Sequence, residues 1–256
     1  MEKRKLILVS NDDGVNARGL ASLIEMVKPY GDVLVVAPET GQSGMSHSIS
    51  SSSPLRIQTV EEKPGLTIYA VSGTPVDCVK LAVNHLLPRV PDLMVSGINH
   101  GSNAAINVVY SGTMGAAIEA SFHEIPAIGF SVDDHSKDAD FSLVLEYGPR
   151  LIEQILLNGL PKQVSLNVNF PVVEKKDFKG YKICRQTAGV WKEGFDRRTD
   201  PFGREYFWYT GKFYNFEPHD DCTDEWAMRN NYAAVVPIRA DFTEHNLIDS
   251  MKKWDI

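Results

Sequence analysis

The chain has 256 residues, and 43% of them are hydrophobic, which is enough to bury a sizeable core and excludes a disordered chain. The chain has 26 Lys and Arg residues and 33 Asp and Glu residues, which give a net charge of −7. This charge argues against binding of duplex nucleic acid through many phosphate contacts. Because no apolar run is long enough for a membrane span or an export signal, we expect a cytoplasmic protein with no membrane partner.

The first elements along the chain predict a β-α-β unit. Residues 5–10 and 32–37 are short runs of Val, Ile and Leu, typical of strands that are buried on both faces. Between them, residues 17–30 carry apolar side chains at helical spacing before Pro29 and Gly31 end the pattern.

The alternation of strands and helices continues to about residue 170. Helices are predicted at 75–87, 115–123 and 141–157, and strands at 93–97, 127–131, 164–170 and 181–186. This order predicts an α/β fold with three layers, Rossmann-like, in which a mostly parallel sheet carries helices on both faces.

The composition changes after Thr187. Residues 191–216 are rich in aromatic side chains. Within them, the pattern Tyr209-Thr210-Gly211-Lys212 predicts a hairpin turn. We expect a single domain, 1–256, with a core at 1–186 that holds the active-site loops. A C-terminal extension at 187–256, with a hairpin and helix, would be an oligomer contact, since aromatic residues are enriched at interfaces. A lid packed on its own subunit is the alternative.

Polar loops follow the predicted strands, where ligands of parallel sheets bind. Asp12 and Asp13 come after the first strand, followed by Gly14. In a turn the two carboxylates can converge on one hard divalent cation, Mg²⁺ or Mn²⁺. A simple Asp-Gly turn explains the same residues equally well.

Two further loops favour a phosphate site. Asn99 and Asn103 offer amide groups for a metal or a phosphate, or form Asx turns. Ser111-Gly112-Thr113 opens a helix whose N-terminal N–H groups suit an anion, although ordinary N-capping explains it too. Oxygen ligands on one loop and an anion site on another together indicate hydrolysis of a phosphate ester.

His47 is a candidate general acid, because a histidine can donate a proton near neutral pH. A structural histidine bonded within the fold is the equal alternative. The sequence has no Gly-x-Gly-x-x-Gly or Gly-Lys-Ser/Thr motif, so a dinucleotide cofactor or a P-loop is disfavoured.

Five ordered motifs give the chain a resemblance to a known family. They are Leu8-Val9-Ser10-Asn11-Asp12-Asp13-Gly14, the stretch from Val35-Val36-Ala37-Pro38 to His47-Ser48-Ile49, Val71-Ser72-Gly73-Thr74-Pro75-Val76-Asp77-Cys78, residues 92–103, and residues 110–117. Residues 166–171 and Thr223-Asp224 extend the match into the later part of the chain. The sequence resembles the SurE (survival protein E) family of metal-dependent nucleotidases.

The resemblance implies a function and a set of site residues. It implies hydrolysis of nucleoside monophosphates, with 5′ or 3′ phosphates, to nucleoside and inorganic phosphate in the cytoplasm, with short polyphosphate as a further candidate substrate. One divalent metal ion, Mg²⁺ or Mn²⁺, would be bound by Asp12, Asp13, Ser43 and Asn99. Phosphate contacts would come from Asn103, Ser111, Gly112 and Thr113. Family members are typically dimers or tetramers that exchange C-terminal segments, so a homo-oligomer is expected.

The sequence departs from the family's pattern at two positions. Ser46 replaces a glycine that commonly precedes the histidine, and Gln42 stands where an arginine is frequent. Both put in doubt the conformation of the loop around Ser43 and its affinity for phosphate.

The predicted mechanism is attack by water that Asp12 or Asp13 orients or deprotonates, with His47 as the weaker candidate for the acid. Attack by one of the two aspartates, forming an aspartyl phosphate, is the competing route. A phosphatase of the haloacid dehalogenase type and a protein that binds metal and nucleotide without turnover are the alternative functions.

Overall fold

The structure is a computed structural model that describes residues 4–255. These residues contain eleven strands: β1 (Lys5–Ser10), β2 (Gly31–Pro38), β3 (Ile57–Lys63), β4 (Leu66–Val71), β5 (Leu93–His100), β6 (Ala127–Val132), β7 (Val164–Phe170), β8 (Tyr181–Ile183), β9 (Gly189–Thr199), β10 (Glu205–Asn215) and β11 (Ala233–Arg239). The helices are α1 (Arg18–Val27), α2 (Pro75–Leu81), α3 (Asn107–Tyr110), α4 (Gly112–Phe122), α5 (Ser142–Asn158), α6 (Asp224–Arg229) and α7 (His245–Met251). In this part of the chain no helix has the length and apolar character needed to cross a membrane.

Nine strands form one sheet in the order β3-β4-β2-β1-β5-β6-β7-β11-β8. The pairings from β4 through β7 are parallel, while β3 and β11 run antiparallel to β4 and β7. The predicted mostly parallel α/β sheet is therefore confirmed. The strands predicted at 5–10 and 164–170 have the predicted bounds.

Side chains alternate between the two faces of the sheet, as the period of a strand requires. Ile7 and Val9 of β1 join α1 and α5 in one apolar core. Leu8, between them, faces the opposite way and packs with α2 and α4. These two cores on opposite faces make the three layers and bring the N-terminus of α4 to the sheet's carboxyl edge.

The hairpin of aromatic residues is present, but the position predicted for its turn is wrong. Tyr209 to Lys212 lie inside β10, and the turn runs from Asp200 to Arg204, closed by the Asp200 N–H donating to Arg204 O at 2.9 Å. Asp200-Pro201 with Gly203 is the sequence pattern of a tight turn. Gly211 instead lies close to the backbone of β9, where the Lys192 carbonyl oxygen would be 3.2 Å from a Cβ at position 211.

Two other regions differ from the sequence expectations. The antiparallel pair β3–β4 was not predicted, because β3 is an exposed edge strand of mixed polar composition. The chain after the hairpin also contributes to the central sheet, where β11 lies between β7 and β8. Part of the segment 187–256 thus completes the core, and the hairpin β9–β10 forms a separate sheet of two strands.

Candidate functional site

The polar loops that follow β1, β2 and β5 meet in one cleft, because these strands are close together in the sheet and end at the same edge. The cleft has a volume of about 530 Å³. Five of the predicted site residues line it: Asp12, Ser43, Asn99, Asn103 and Ser111. Ser43 is exposed at this cleft, whereas the other four side chains are buried.

Asp12 is held against the first turn of α4. Its Oδ1 accepts a hydrogen bond from the Thr113 hydroxyl, and its side chain is only 3% exposed. Gly112 makes this approach possible, since a Cβ at position 112 would lie 2.7 Å from the Cβ of Asp12. The Asp12 carbonyl also accepts from the Gln42 N–H at 2.7 Å, which ties the loop of Ser43 to the same residue.

The electrostatics of the two aspartates fit a cation. Burial, reinforced by the charge of Asp13 and opposed by the bond from Thr113, raises the pKa of Asp12 to about 6. Burial also raises the pKa of Asp13, with His100 opposing it. The Oδ2 atom of Asp13 is buried without a hydrogen-bond partner within residues 4–255. A buried carboxylate oxygen without a donor is stabilised by a positive ion.

The turn that contains these carboxylates holds a further unpaired oxygen among the described residues, on Asn11. Asn11 donates from Nδ2 to Gly14 O at 3.0 Å, while its Oδ1 is buried and unpaired in the described chain. Gly14 has φ of +98°, a backbone conformation that favours glycine. The Asp-Gly turn and the cation-ligand interpretations therefore describe the same geometry.

The loop after β5 is fixed by buried amides. Asn99 donates from Nδ2 to Gly101 O at 2.8 Å, which leaves its amide oxygen for a cation. Asn103 donates from its backbone N–H to Asn169 Oδ1 at 2.7 Å and from Nδ2 to Ser131 Oγ at 2.8 Å. Asn167 donates to the Asn103 carbonyl at 2.8 Å.

Asn167 and Asn169 are supporting residues that the sequence analysis did not assign to the site. The sequence does carry a pattern that indicates them. Polar side chains stand at every second position of the buried strand β7, at Ser165, Asn167 and Asn169. Buried polar side chains of this kind need hydrogen-bond partners, and the loop of Asn103 supplies partners for Asn167 and Asn169.

Asp224 is a second supporting residue that was not predicted. It is fully buried, and its carboxylate accepts from the N–H groups of Ala105 and Thr187, both at 2.9 Å, and from the Thr187 hydroxyl at 2.5 Å. Ala105 has φ of +52°, so this bond holds the end of the loop 99–105 in a conformation that alanine rarely adopts. The carboxylate thereby connects α6 and β9 to that loop.

The start of α4 has a side-chain N-cap and helix N–H groups that suit an anion. Ser111 Oγ accepts from the Met114 N–H at 3.0 Å, so this hydroxyl is the N-cap, and the Thr113 hydroxyl is bonded to Asp12. The groups left for an anion are the first N–H groups of the helix, which lack partners within a helix.

The structure does not bring His47 to this cleft. Its Nε2 lies 2.9 Å from Glu119 Oε2, and its ring contacts Phe122 with centroids 5.7 Å apart. His47 lines a different cavity, of about 450 Å³, which does not include Asp12. This is the environment of the structural alternative, and a catalytic role for His47 stays a prediction.

The fold and this cleft define an open α/β protein whose ligand site is built from oxygen-rich loops at the carboxyl edge of its sheet. A family model described as survival protein SurE matches residues 7–193. The 5′-nucleotidase SurE of Flavobacterium psychrophilum is 50% identical over 254 residues, covering 99% of this chain and 98% of the relative. That of Cytophaga hutchinsonii is 50% identical over 251 residues, covering 98% and 96%.

A solved structure agrees with these sequence matches. The crystal structure of the SurE protein from Aquifex aeolicus superposes with a TM-score of 0.82 at 34% identity, covering 96% of this chain and 98% of that one. The chain belongs to the SurE family.

Proposed function

We propose that this protein is a metal-dependent nucleotidase that hydrolyses nucleoside monophosphates to nucleoside and inorganic phosphate. The observation that carries the proposal is the meeting of Asp12, Ser43, Asn99 and the N-terminus of α4 in one cleft. Family membership supports the reaction class, because the relatives described above are 5′-nucleotidases.

The residues that would hold a divalent cation are Asp12, Asp13, Ser43 and Asn99, which offer two carboxylates, a hydroxyl and an amide oxygen. This donor set suits a hard cation such as Mg²⁺ or Mn²⁺. When bound, one such ion supplies positive charge that offsets the charge of the phosphate and acidifies nearby water.

The chain's own groups bind the phosphate and orient the attack. The first N–H groups of α4, at Gly112 and Thr113, stabilise the phosphate oxygens, with Ser111 and Asn103 beside them. Asp12 or Asp13 orients or deprotonates the attacking water, and the leaving nucleoside oxygen takes up a proton from solvent as its bond to phosphorus breaks. The Thr113 hydroxyl orients Asp12 through Oδ1, so Oδ2 is left to face the cation or the water.

The proposal is tested by release of phosphate from adenosine monophosphate with Mn²⁺, with and without a chelator. We expect release that the chelator abolishes and that Asp13→Asn lowers by at least about 100-fold, since the change removes a charge at nearly constant shape. Asp177→Asn, at an exposed position outside the cleft, is the matched control. Full turnover by folded Asp13→Asn would refute the site, and no release from any nucleotide would favour a binding protein.

We also propose that the protein assembles as a dimer or tetramer through its C-terminal region. The hairpin presents Phe195, Phe202 and Phe207 to solvent, with Phe202 82% exposed. Aromatic residues so exposed are typical of an interface. Sedimentation of the wild type and of Phe202→Ser tests this, and a monomeric wild type would contradict it.

A further inference from the structure

The cleft continues into a second cavity along the base of the hairpin. This cavity has a volume of about 550 Å³ and shares Gly44, Asn107, Tyr110 and Trp191 with the cleft. Glu193 and Tyr209 line its far part. We call it the aromatic slot. It lies between the body of the protein, which provides Tyr110, and the hairpin, which provides Trp191 and Tyr209.

Trp191 is fixed in place by two contacts. Its indole N–H donates to Asn107 Oδ1 at 2.7 Å. Its ring meets Phe213, its cross-strand partner, edge to face with centroids 6.1 Å apart. An aromatic ring held this firmly loses little conformational entropy when a ligand stacks on it.

The slot begins next to the proposed phosphate site. Tyr110 directly precedes Ser111, the N-cap of α4, and half of its surface, 51%, is exposed. At the other end, the Tyr209 hydroxyl donates to Glu193 Oε1 at 2.7 Å, which fixes the outer edge of the slot. A ligand with phosphate at α4 therefore extends its remaining part between these aromatic rings.

We propose that the aromatic slot binds the nucleobase of the substrate, with Trp191 as the main stacking residue and Tyr110 and Tyr209 beside it. This inference rests on the proposed function and adds where the base binds. Stacking accepts every base, because each has a flat π face. The slot thus favours nucleotides over phosphate esters that lack a base, without choosing strongly among bases.

The test compares adenosine monophosphate with ribose 5-phosphate, which carries the same phosphoester without a base. Trp191→Ala raises KM for the nucleotide about 10-fold, the effect of losing one stacked base. The same variant leaves kcat, and both constants for ribose 5-phosphate, within about 2-fold of wild type, because a remote contact contributes uniform binding. Trp191→Phe keeps a ring and gives an intermediate KM.

Trp208→Ala is the matched control, since Trp208 belongs to the same hairpin, is 61% exposed and lines neither cavity. An equal rise in KM for Trp208→Ala would overturn the proposal, because the effect would then come from the hairpin's outer surface. If Trp191→Ala leaves the ratio of KM for ribose 5-phosphate to KM for adenosine monophosphate unchanged, the proposal is overturned as well. The nucleotidase function would still stand.

A second measurement does not need turnover. We expect adenosine, which lacks the phosphate, to quench the tryptophan fluorescence of the wild type, and we expect the quenching to be lost in Trp191→Ala. If the wild type hydrolyses neither substrate, the proposed function fails. The titration then tests by itself whether the aromatic slot binds a nucleobase. Equal adenosine binding by wild type and Trp191→Ala refutes it.

Discussion

At the scale of single residues, the site depends on close approach of Asp12 to α4. Gly112 permits that approach, because a side chain at position 112 would overlap the Asp12 Cβ and carboxylate. The glycine is required for packing, since a Cβ at position 112 would lie only 2.7 Å from the Asp12 Cβ.

We expect Gly112→Ala to lower the free energy of unfolding by about 1–3 kcal/mol, the usual effect of overpacking a tight contact. It should also lower kcat/KM by displacing Asp12. Urea unfolding and phosphate release measure the two effects. Gly41→Ala is the control, because a Cβ at Gly41 meets only Asp13 O at 3.6 Å, an ordinary contact. Equal stability of the two variants would contradict this account of Gly112.

The residues of the candidate site could be listed from the sequence, but their partners could not. The structure brings Asp12, Ser43 and Asn99 to one cleft and places His47 beside Glu119 instead. Ser43 and His47 are close in sequence, but they line different cavities, and the turn at Ser46 lies between them. Ser46 has φ of +56°, a backbone conformation that glycine adopts more readily than serine.

The other departure from the family pattern has a smaller structural effect. Gln42 contributes a backbone N–H to the Asp12 carbonyl, a bond that any residue other than proline makes at this position. The backbone link between the two loops thus does not depend on which side chain occupies position 42.

At the scale of elements, α4 connects the site to the loop of residues 39–50 through Glu119. Its buried carboxylate accepts from His47 Nε2 and from Lys80 Nζ at 2.6 Å. Although burial opposes it, these hydrogen bonds and charges lower the pKa of Glu119 to about 2 from the usual 4.5.

This pKa shift predicts a pH dependence of stability. The folded-state pKa lies below the unfolded value, so the stabilisation is present above pH 4.5 and is lost as the pH falls through about 2. Glu119→Gln should cost about 1–2 kcal/mol at pH 7 and less at about pH 3.5. Urea unfolding at both pH values measures it, with Glu146→Gln on the exposed face of α5 as control. An equal loss at both pH values would show that the charge of Glu119 is not involved.

Asp224 connects α6 with the loop that carries Asn99 and Asn103. Asp224→Asn keeps the shape but turns an NH₂ group toward the Ala105 or Thr187 N–H donors, so one of these bonds is lost. We expect a loss of about 2 kcal/mol in stability and weaker Mn²⁺ binding, because the loop is then less well fixed. Calorimetric titration with Mn²⁺ measures the second effect, and the exposed Asp140→Asn is the control. Unchanged Mn²⁺ affinity in Asp224→Asn would contradict a positioning role.

The elements themselves were predictable where their pattern is strong. The buried runs at β1 and β2 and the amphipathic α1 follow directly from apolar spacing. The strand pair β3–β4 and the hairpin turn were not found correctly, because β3 is largely exposed and Gly211 looked like a turn residue. Gly211 lies in the middle of β10, close to the backbone of β9, and the local sequence does not reveal this pairing.

At the scale of the whole molecule, the proposed cation would couple its binding to folding. Two carboxylates with raised pKa values, one with a buried oxygen that has no partner among residues 4–255, would be stabilised by a positive ion. Mn²⁺ at about 100 times its Kd should therefore raise the free energy of unfolding by about 2.7 kcal/mol. Thermal unfolding with and without Mn²⁺ measures this. The shift should disappear in Asp13→Asn, and the same shift in both proteins would place the ion elsewhere.

The central claim is that distant loops meet around one divalent cation, and an anomalous-difference map from crystals grown with Mn²⁺ tests it most directly. The account predicts the strongest peak in contact with Asp12, Asp13, Ser43 and Asn99. A map without density there would contradict it, most plainly if the strongest peak lay at Asp220, Asp221 and Cys222, whose ligand atoms lie within 4.8 Å of one another.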